Sequence, residues 1–322
     1  MKLAILATGA ITHSVIPTLL KMDEIECYAV ASRSLDKATA FKKQYGLKKA
    51  YGSYEEMLKD PEVELVYVAS PHSHHFEHMT LCLEHKKPVI CEKAFTVNAS
   101  QAKKIKEYAK EKNVFVTEAI WTRYMPSRKI IEDVLKEDLI GEIRTVSANL
   151  CYNVGHRKRL SDPKLAGGAL LDVGVYCVNF ASMFFGYDIE RIETSVHMSK
   201  SGVDADNVIS IYYKDGRNAV LTDGIFSRSD RKGIFYGERG YIIVENINNP
   251  QNISVFDDND VLLKSCEVPK QISGYEYEFA ESVKCIKEGR IESYSMPLQE
   301  SVEILEIMDA VREKWGFKYP ME

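Results

Sequence analysis

The sequence predicts an α/β domain built on a parallel sheet, followed by an α+β domain with a mostly antiparallel open sheet. Two observations carry this. Short apolar runs alternate with helical patterns through the first 120 residues; beyond about residue 140 the runs alternate apolar with polar and are separated by turn signals. At 322 residues the chain is about twice a typical domain, enough for both. The expected division is 1–121 and 122–322.

In the first domain the strands are read at Leu3–Leu6, Ile25–Ala31, Glu64–Ala69, Pro88–Cys91 and Val114–Thr117. Between them apolar residues recur at helical spacing, as in Ala38, Phe41 and Tyr45, or Ile105, Tyr108 and Ala109. Ser34 and Ser100 are the expected N-caps of two of these helices. In the second domain strands are expected at Gly141–Tyr152, Ile189–Met198, Asn207–Tyr213, Arg217–Thr222, Ile234–Tyr236 and Tyr241–Glu245. Turn signals such as Lys214-Asp215-Gly216 and Glu238-Arg239-Gly240 separate them. One helix interrupts the strands at Ala169–Phe185, and two close the chain at Tyr275–Glu288 and Pro297–Trp315.

Composition narrows the function classes. Hydrophobic residues at 45% and charged residues at 28% exclude a disordered or fibrous chain. A net charge of -5 gives no electrostatic reason to expect nucleic acid or an anionic membrane as partner. The seven cysteines are scattered without CxxC spacing and read as reduced thiols of a cytoplasmic protein. No apolar stretch is read as approaching a membrane span of roughly 18 residues. The expectation is a soluble cytoplasmic enzyme acting on a small molecule.

Thr8, Gly9, Ala10 and Ile11 fall between the first strand and the first helix, where a dinucleotide-binding turn belongs. Such a turn needs glycines so that a pyrophosphate can approach the backbone and rest on the helix N-terminus. Only Gly9 of the three glycine positions is present; Ala7 and Thr12 replace the others. Alone, this segment reads equally as an ordinary strand-to-helix turn, and its place at the head of a βαβ array favours the nucleotide reading. The second strand ends in Ala31-Ser32-Arg33-Ser34, with Lys37 one turn into the helix. An NAD site usually has a carboxylate there for the ribose 2′-hydroxyl. A hydroxyl and a guanidinium suit a 2′-phosphate instead, so NADP is expected over NAD. The alternative is a solvated Ser-Arg helix cap.

Three ordered motifs follow. They are Ala69-Ser70-Pro71-His72-Ser73-His74-His75, then Cys91-Glu92-Lys93-Ala94, then Gly167-Gly168-Ala169-Leu170-Leu171-Asp172-Val173-Gly174-Val175-Tyr176. Together they resemble the glucose–fructose oxidoreductase/inositol dehydrogenase (Gfo/Idh/MocA) family, with its P-x-x-x-H, E-K-P and G-G-x-L-x-D-x-G-x-[HY] segments in this order. Glu118-Ala119-Ile120-Trp121-Thr122-Arg123 and Tyr176 look most like its dimeric dihydrodiol dehydrogenase and NADP-dependent xylose dehydrogenase branch. Ala94 departs from the family proline and Ala7 from the first glycine. The resemblance implies a Rossmann fold for the first domain. It also implies cofactor contacts from Ser70, Pro71, His72, His75, Glu92, Lys93, Glu118 and Arg159, with Arg123 a weaker candidate. Tyr275 and Tyr277 match the branch without an assigned role.

Oxidising a secondary alcohol needs a base for the hydroxyl proton while hydride leaves for the nicotinamide. Lys93 follows a strand's C-terminal end, where open α/β sheets bind ligands. Asp172 and Tyr176 are four residues apart and share one helix face. A phenol serves as base only where a cation lowers its pKa; Lys93 and the oxidised nicotinamide are the candidates. The resemblance implies catalysis by Lys93 and Tyr176, with Asp172 orienting the substrate or Tyr176. His74 and His78 stand i, i+4, which invites a metal reading, but no Cys or carboxylate stands at supporting spacing. No metal is expected, and both read as solvated helix residues. The strand Ile209-Ser210-Ile211-Tyr212-Tyr213 has few charges on either face, which predicts a homodimer or higher homo-oligomer through the outer sheet face. The expected activity is hydride transfer between NADP and a hydroxyl or carbonyl carbon of a sugar, cyclic polyol or dihydrodiol. A catalytically idle nucleotide-binding regulator and an NADPH-dependent ketone or imine reductase are the alternatives.

Overall fold

The computed structural model describes residues 1–322. They form two compact units: Met1–Tyr124 with Gln271–Val302, and Met125–Lys270 with Glu303–Glu322. The first break falls close to the expected 121/122. The second unit, however, is interrupted, because residues 271–302 join the first.

In the first unit β1 (Lys2–Leu6), β2 (Glu26–Ala31), β3 (Lys49–Tyr51), β4 (Leu65–Val68), β5 (Val89–Glu92) and β6 (Val116–Ala119) form one sheet in the order β3-β2-β1-β4-β5-β6. Every pair in it is parallel. The order reverses at β1, so the crevice for a ligand opens beyond the C-terminal ends of β1 and β4. Strands β4, β5 and β6 are buried along their whole length, as a sheet covered on both faces requires. The covering helices are α1 (Ala10–Leu19), α2 (Leu35–Tyr45), α3 (Tyr54–Leu58), α4 (His75–Glu84) and α5 (Ala99–Lys112). Ser34 caps α2 as expected, accepting from the Lys37 N–H. The cap of α5 is Asn98, whose Oδ1 accepts from the Gln101 N–H at 2.9 Å; Ser100 lies inside the helix and exposed. Asn98 takes the cap because its backbone is extended (φ -156°, ψ 166°), as an N-cap requires. The edge strand β3 escapes sequence reading because its three residues are half-exposed and contain no apolar run.

The second unit contains α6 (Pro126–Lys136), β7 (Ile143–Cys151), α7 (Lys158–Ser161) and α8 (Val175–Phe185). Then come β8 (Ile189–Met198), β9 (Asp204–Tyr213), β10 (Asn218–Gly224), β11 (Gly233–Gly237), β12 (Gly240–Val244), β13 (Asn252–Asp257) and β14 (Leu262–Glu267). These strands form an eight-stranded sheet in the order β14-β13-β12-β11-β7-β10-β9-β8, antiparallel except for β7 beside β10. The inner face reads Ile211, Ala219, Val146, Phe235, Ile242 and Val255 straight across six strands, all buried. Phe180 of α8 packs on Phe235 with ring centroids 5.4 Å apart. Strands β13 and β14 add to the expected set; the alternation of buried Ile253 and Val255 was the available signal. Pro163–Phe185 is long and apolar enough to cross a membrane, with mean hydropathy 1.5, contrary to the sequence expectation. Burial of 83% of that window marks it as a core helix.

Two helices follow, α9 (Glu276–Lys287) and α10 (Leu298–Trp315). Phe279 and Val283 of α9 enter the core cluster that holds Leu3, Ile5 and Tyr67. The Val116 N–H also donates to Ile291 O at 3.0 Å. These contacts are why 271–302 belongs to the first unit.

Candidate active site

In the first unit a cleft of about 630 Å³ opens at the ends of β1, β2 and β4. Of the expected cofactor residues it brings together Thr8, Gly9, Ser32, Arg33, Lys37, Ser70 and Pro71. Ala10, Ile11, His72, His75, Glu92, Lys93 and Glu118 are not among its lining residues.

The turn that opens the cleft keeps a glycine's conformation without the glycine. Ala7 sits at φ 84°, and its N–H donates to Ala31 O at 3.0 Å. A non-glycine residue there costs about 1–2 kcal/mol. Gly9 is exposed at the head of α1, and α1 starts without a side-chain cap, which leaves its first-turn N–H groups for an anion. At the end of β2 Ser32 is buried, while Arg33 and Lys37 are exposed in the cleft. The residues therefore fit a dinucleotide with a 2′-phosphate: an uncapped helix start for the pyrophosphate and two cations with a hydroxyl where a carboxylate would otherwise stand.

The far wall was not anticipated. His78, expected in solvent, is 7% exposed, and its Nδ1 lies 2.9 Å from Ser70 Oγ. Tyr54 meets its ring edge-on at 4.8 Å and His74 stacks on it at 5.6 Å. Burial pushes His78 down to about 4, with nearby positive groups adding to the effect. His78 falls on the buried stripe His75, His78, Met79, Cys82 of α4, and that periodicity was the signal for its burial.

Behind the cleft, His75 is fully buried. Its Nδ1 lies 2.8 Å from Ala94 O and its Nε2 2.8 Å from Ser70 O, so it ties the loop after β4 to the loop after β5. Burial pushes it down to about 4, although both carbonyl contacts favour the charged form. Lys93, half-buried, begins that second loop, and the Lys93–Ala94 peptide is cis. Glu92 accepts from the buried Tyr67 hydroxyl. Glu118 is 1% exposed; it accepts from the Phe95 N–H at 3.0 Å and the Ser301 hydroxyl at 2.8 Å. It thus supports the Lys93 loop from below instead of facing the cleft. Arg123 is buried in an ion pair with Glu300, and Tyr275 stacks on Trp121 at 4.3 Å.

In the second unit Asp172 lies on a π-helical turn, Leu170–Gly174, that runs directly into α8, and Tyr176 follows in the first turn of α8. Asp172 is 5% exposed, and its Oδ1 accepts from Arg159 Nη1 at 2.8 Å. Arg159, which the resemblance directs at the cofactor, is here the partner that holds Asp172. A charge-assisted bond of this kind fixes the orientation of the carboxylate. The unit thus offers an oriented carboxylate and a half-buried phenol on one helix face, a set suited to holding a hydroxyl and moving its proton.

Comparison with known proteins gives the family. Residues 1–120 match the family described as "Oxidoreductase family, NAD-binding Rossmann fold", and residues 129–243 match the "GFO/IDH/MocA C-terminal domain". Trans-1,2-dihydrobenzene-1,2-diol dehydrogenase of Mus musculus is 32% identical, covering 100% of this chain and 99% of its own. The Homo sapiens enzyme of that name is also 32% identical with the same coverage. Among solved structures, the 3-ketoreductase KijD10 from Actinomadura kijaniata, in complex with NADP and TDP-benzene, superposes with a TM-score of 0.90 at 23% identity, over 97% of each chain. An aldose-aldose oxidoreductase from Caulobacter crescentus complexed with glycerol gives 0.87 at 18% identity over 98% of each chain. At these identities the two structures establish the fold.

Proposed function

Because the chain belongs to the Gfo/Idh/MocA oxidoreductase family, we propose that it is an NADP-dependent dehydrogenase acting on a hydroxyl carbon of a vicinal diol or sugar. The observation that carries the cofactor choice is the end of β2. Ser32, Arg33 and Lys37 line the same cleft as the glycine turn, and no carboxylate stands at that strand end. Relatives named for a cyclic dihydrodiol, alike over the full chain, support the substrate class.

Bound NADP supplies the hydride acceptor at its nicotinamide. The chain's own part is binding, orientation and proton handling. Tyr176 takes the substrate's hydroxyl proton, Lys93 favours the phenolate and the developing alkoxide, and Asp172, fixed by Arg159, orients the hydroxyl. The same groups serve carbonyl reduction in reverse. We also read the protein as a cytoplasmic homodimer. All seven thiols are unpaired, which suits a reducing compartment. From β9 to β13 the outer face of the second sheet offers two charge-free rows, Tyr212, Asn218, Thr145, Tyr236, Tyr241, Phe256, and Ser210, Val220, Ser147, Ile234, Ile243, Ser254, which end on β8 in Arg191 and Glu193. Such a face supports an isologous interface.

The direct test of the cofactor assignment is titration of wild type and Arg33→Ala with NADP and NAD, followed by fluorescence. Losing a charge-assisted phosphate contact typically weakens binding roughly 10- to 150-fold. NADP affinity should fall by that factor in the variant while NAD affinity stays nearly constant. Tighter NAD binding by the wild type, or equal loss for both, would overturn the assignment.

A further inference from the structure

Beneath the turn that carries Asp172 the protein is polar. Asp204 and Asn207 of β9 and Asp223 of β10 are 0%, 3% and 1% exposed. Asp204 Oδ2 accepts from the Leu170 N–H at 2.6 Å, capping the helix start from a distant strand. Asn207 Nδ2 donates to Asp204 Oδ2 at 3.0 Å and to Asp223 Oδ1 at 2.7 Å, so one amide ties the two carboxyls together. Asp204 Oδ1, Asn207 Oδ1 and Asp223 Oδ2 have no hydrogen-bond partner.

The carboxyls press on the helix backbone at two glycines. A Cβ on Gly168 would stand 1.9 Å from Asp204 Oδ1, and one on Gly174 would stand 2.8 Å from Asp223 Oδ2. Gly168 is also at φ +122°, a conformation side chains disfavour. These glycines bracket the π-helical turn, one on each side of Asp172. Two of the glycines in the G-G-x-L-x-D-x-G motif are therefore the places where the chain makes room for Asp204 and Asp223.

Burying two carboxyls this close is unfavourable, and burial pushes both above the ordinary carboxylate range; mutual repulsion adds to the shift of Asp223. An apolar floor would be the cheaper way to fill the space. What apolar side chains would lack is the directed contact with the Leu170 N–H and a rigid link between the two ends of the turn. A π-turn has an alternative, the plain α-helical register, which would change the angle at which Asp172 stands to Tyr176.

We propose that Asp204, Asn207 and Asp223 are positioning residues that clamp both ends of the Leu170–Gly174 turn and thereby fix the register in which Asp172 and Tyr176 are presented. The purpose assigned to the clamp rests on the proposed function; the clamp itself does not, and the experiment separates the two.

Hydrogen exchange followed by mass spectrometry reads the clamp without any substrate. In Asp204→Ala and Asp223→Ala the amides of 168–176 should exchange at least about tenfold faster, while peptides of the nucleotide domain stay unchanged. Asp204→Asn and Asp223→Asn, which keep an acceptor in place, should restore slow exchange. Gly174→Ala supplies an independent arm: it should loosen the turn in the wild type but do little in the Asp223→Ala background, where the obstructing carboxyl is gone. If the alanine variants do not fold, Asp204→Ser and Asp223→Ser, which shorten the side chain but keep it polar, replace them in both arms. Unchanged exchange at 168–176, or Gly174→Ala acting equally in both backgrounds, overturns the clamp. Its purpose is read from NADPH formation on the fastest of D-xylose, myo-inositol and trans-cyclohexane-1,2-diol. The alanine variants should lose kcat by about 10- to 100-fold with NADP affinity intact, and the asparagine variants should recover most of it. Loosened exchange with wild-type kcat refutes the positioning role. Wild-type kcat in both Tyr176→Phe and Asp172→Asn refutes the functional reading instead and leaves the exchange result to judge the clamp.

Discussion

Glu118 shows how much a single buried acid can reveal. Burial pushes its carboxyl up to about 7, although the Phe95 N–H, the Ser301 hydroxyl and Arg123 all favour the charged form. The folded protein therefore holds a proton that the unfolded chain, with a value near 4.5, releases. Its stabilising contribution is complete below about pH 4.5 and is lost as pH rises through 7. Relative to Glu118→Gln, wild-type unfolding free energy should fall by about 3 kcal/mol between pH 4.5 and 8. Parallel curves from urea titrations at both pH values would refute this. Glu118 was legible in the sequence as a residue of interest, but its role was not. Motif reading places a residue at a strand end without telling which way the side chain turns, and here it turns inward under the Lys93 loop. His78 was misplaced for a related reason: its polarity outweighed its position on the apolar stripe of α4. Ser32, Arg33 and Lys37 were legible because their absent carboxylate is itself a sequence fact.

At the scale of elements, the five long strands of the first sheet and most of the second are written in the apolar pattern, and the structure shifts their ends by at most three residues. What pattern cannot supply is the choice between two polar residues two positions apart as a cap. Asn98 and Ser100 are both competent by type, and only backbone conformation separates them. Asn98→Ala should cost about 1 kcal/mol, whereas Ser100→Ala should stay within about 0.5 kcal/mol of wild type. Thermal unfolding of the two variants checks this, and the reverse ranking would contradict it. The π-helical turn was equally invisible, because its register is imposed by side chains from β9 and β10, remote in sequence. Strands β3 and β14 lie at sheet edges, where burial, and hence apolar patterning, is weakest.

For the whole molecule, the sequence conveys two folding units but not that residues 271–302 return to the first. That return depends on Phe279 and Val283 finding Tyr67 and Leu3, contacts that no local pattern announces. The two charge-free rows on the outer face of the second sheet lead to a prediction at this scale. The wild type should be a dimer by light scattering at micromolar concentration, and Val220→Arg combined with Tyr236→Arg, which places charge in both rows, should yield a folded monomer; a monomeric wild type would contradict the interface. The central claim, an NADP-linked dehydrogenase whose proton chemistry is carried by Tyr176 and Lys93, is tested most directly by turnover. NADPH formation from aldoses, inositols and cyclic diols should be measurable for the wild type. It should fall about 10²- to 10⁴-fold in Tyr176→Phe and comparably in Lys93→Met, with NADP binding nearly unchanged. The double variant should lose little more than the worse single one, as expected of groups that act together. Wild-type turnover in Tyr176→Phe alongside an inactive Lys93→Met would make the lysine the sole base, and full activity in both variants would contradict the account outright.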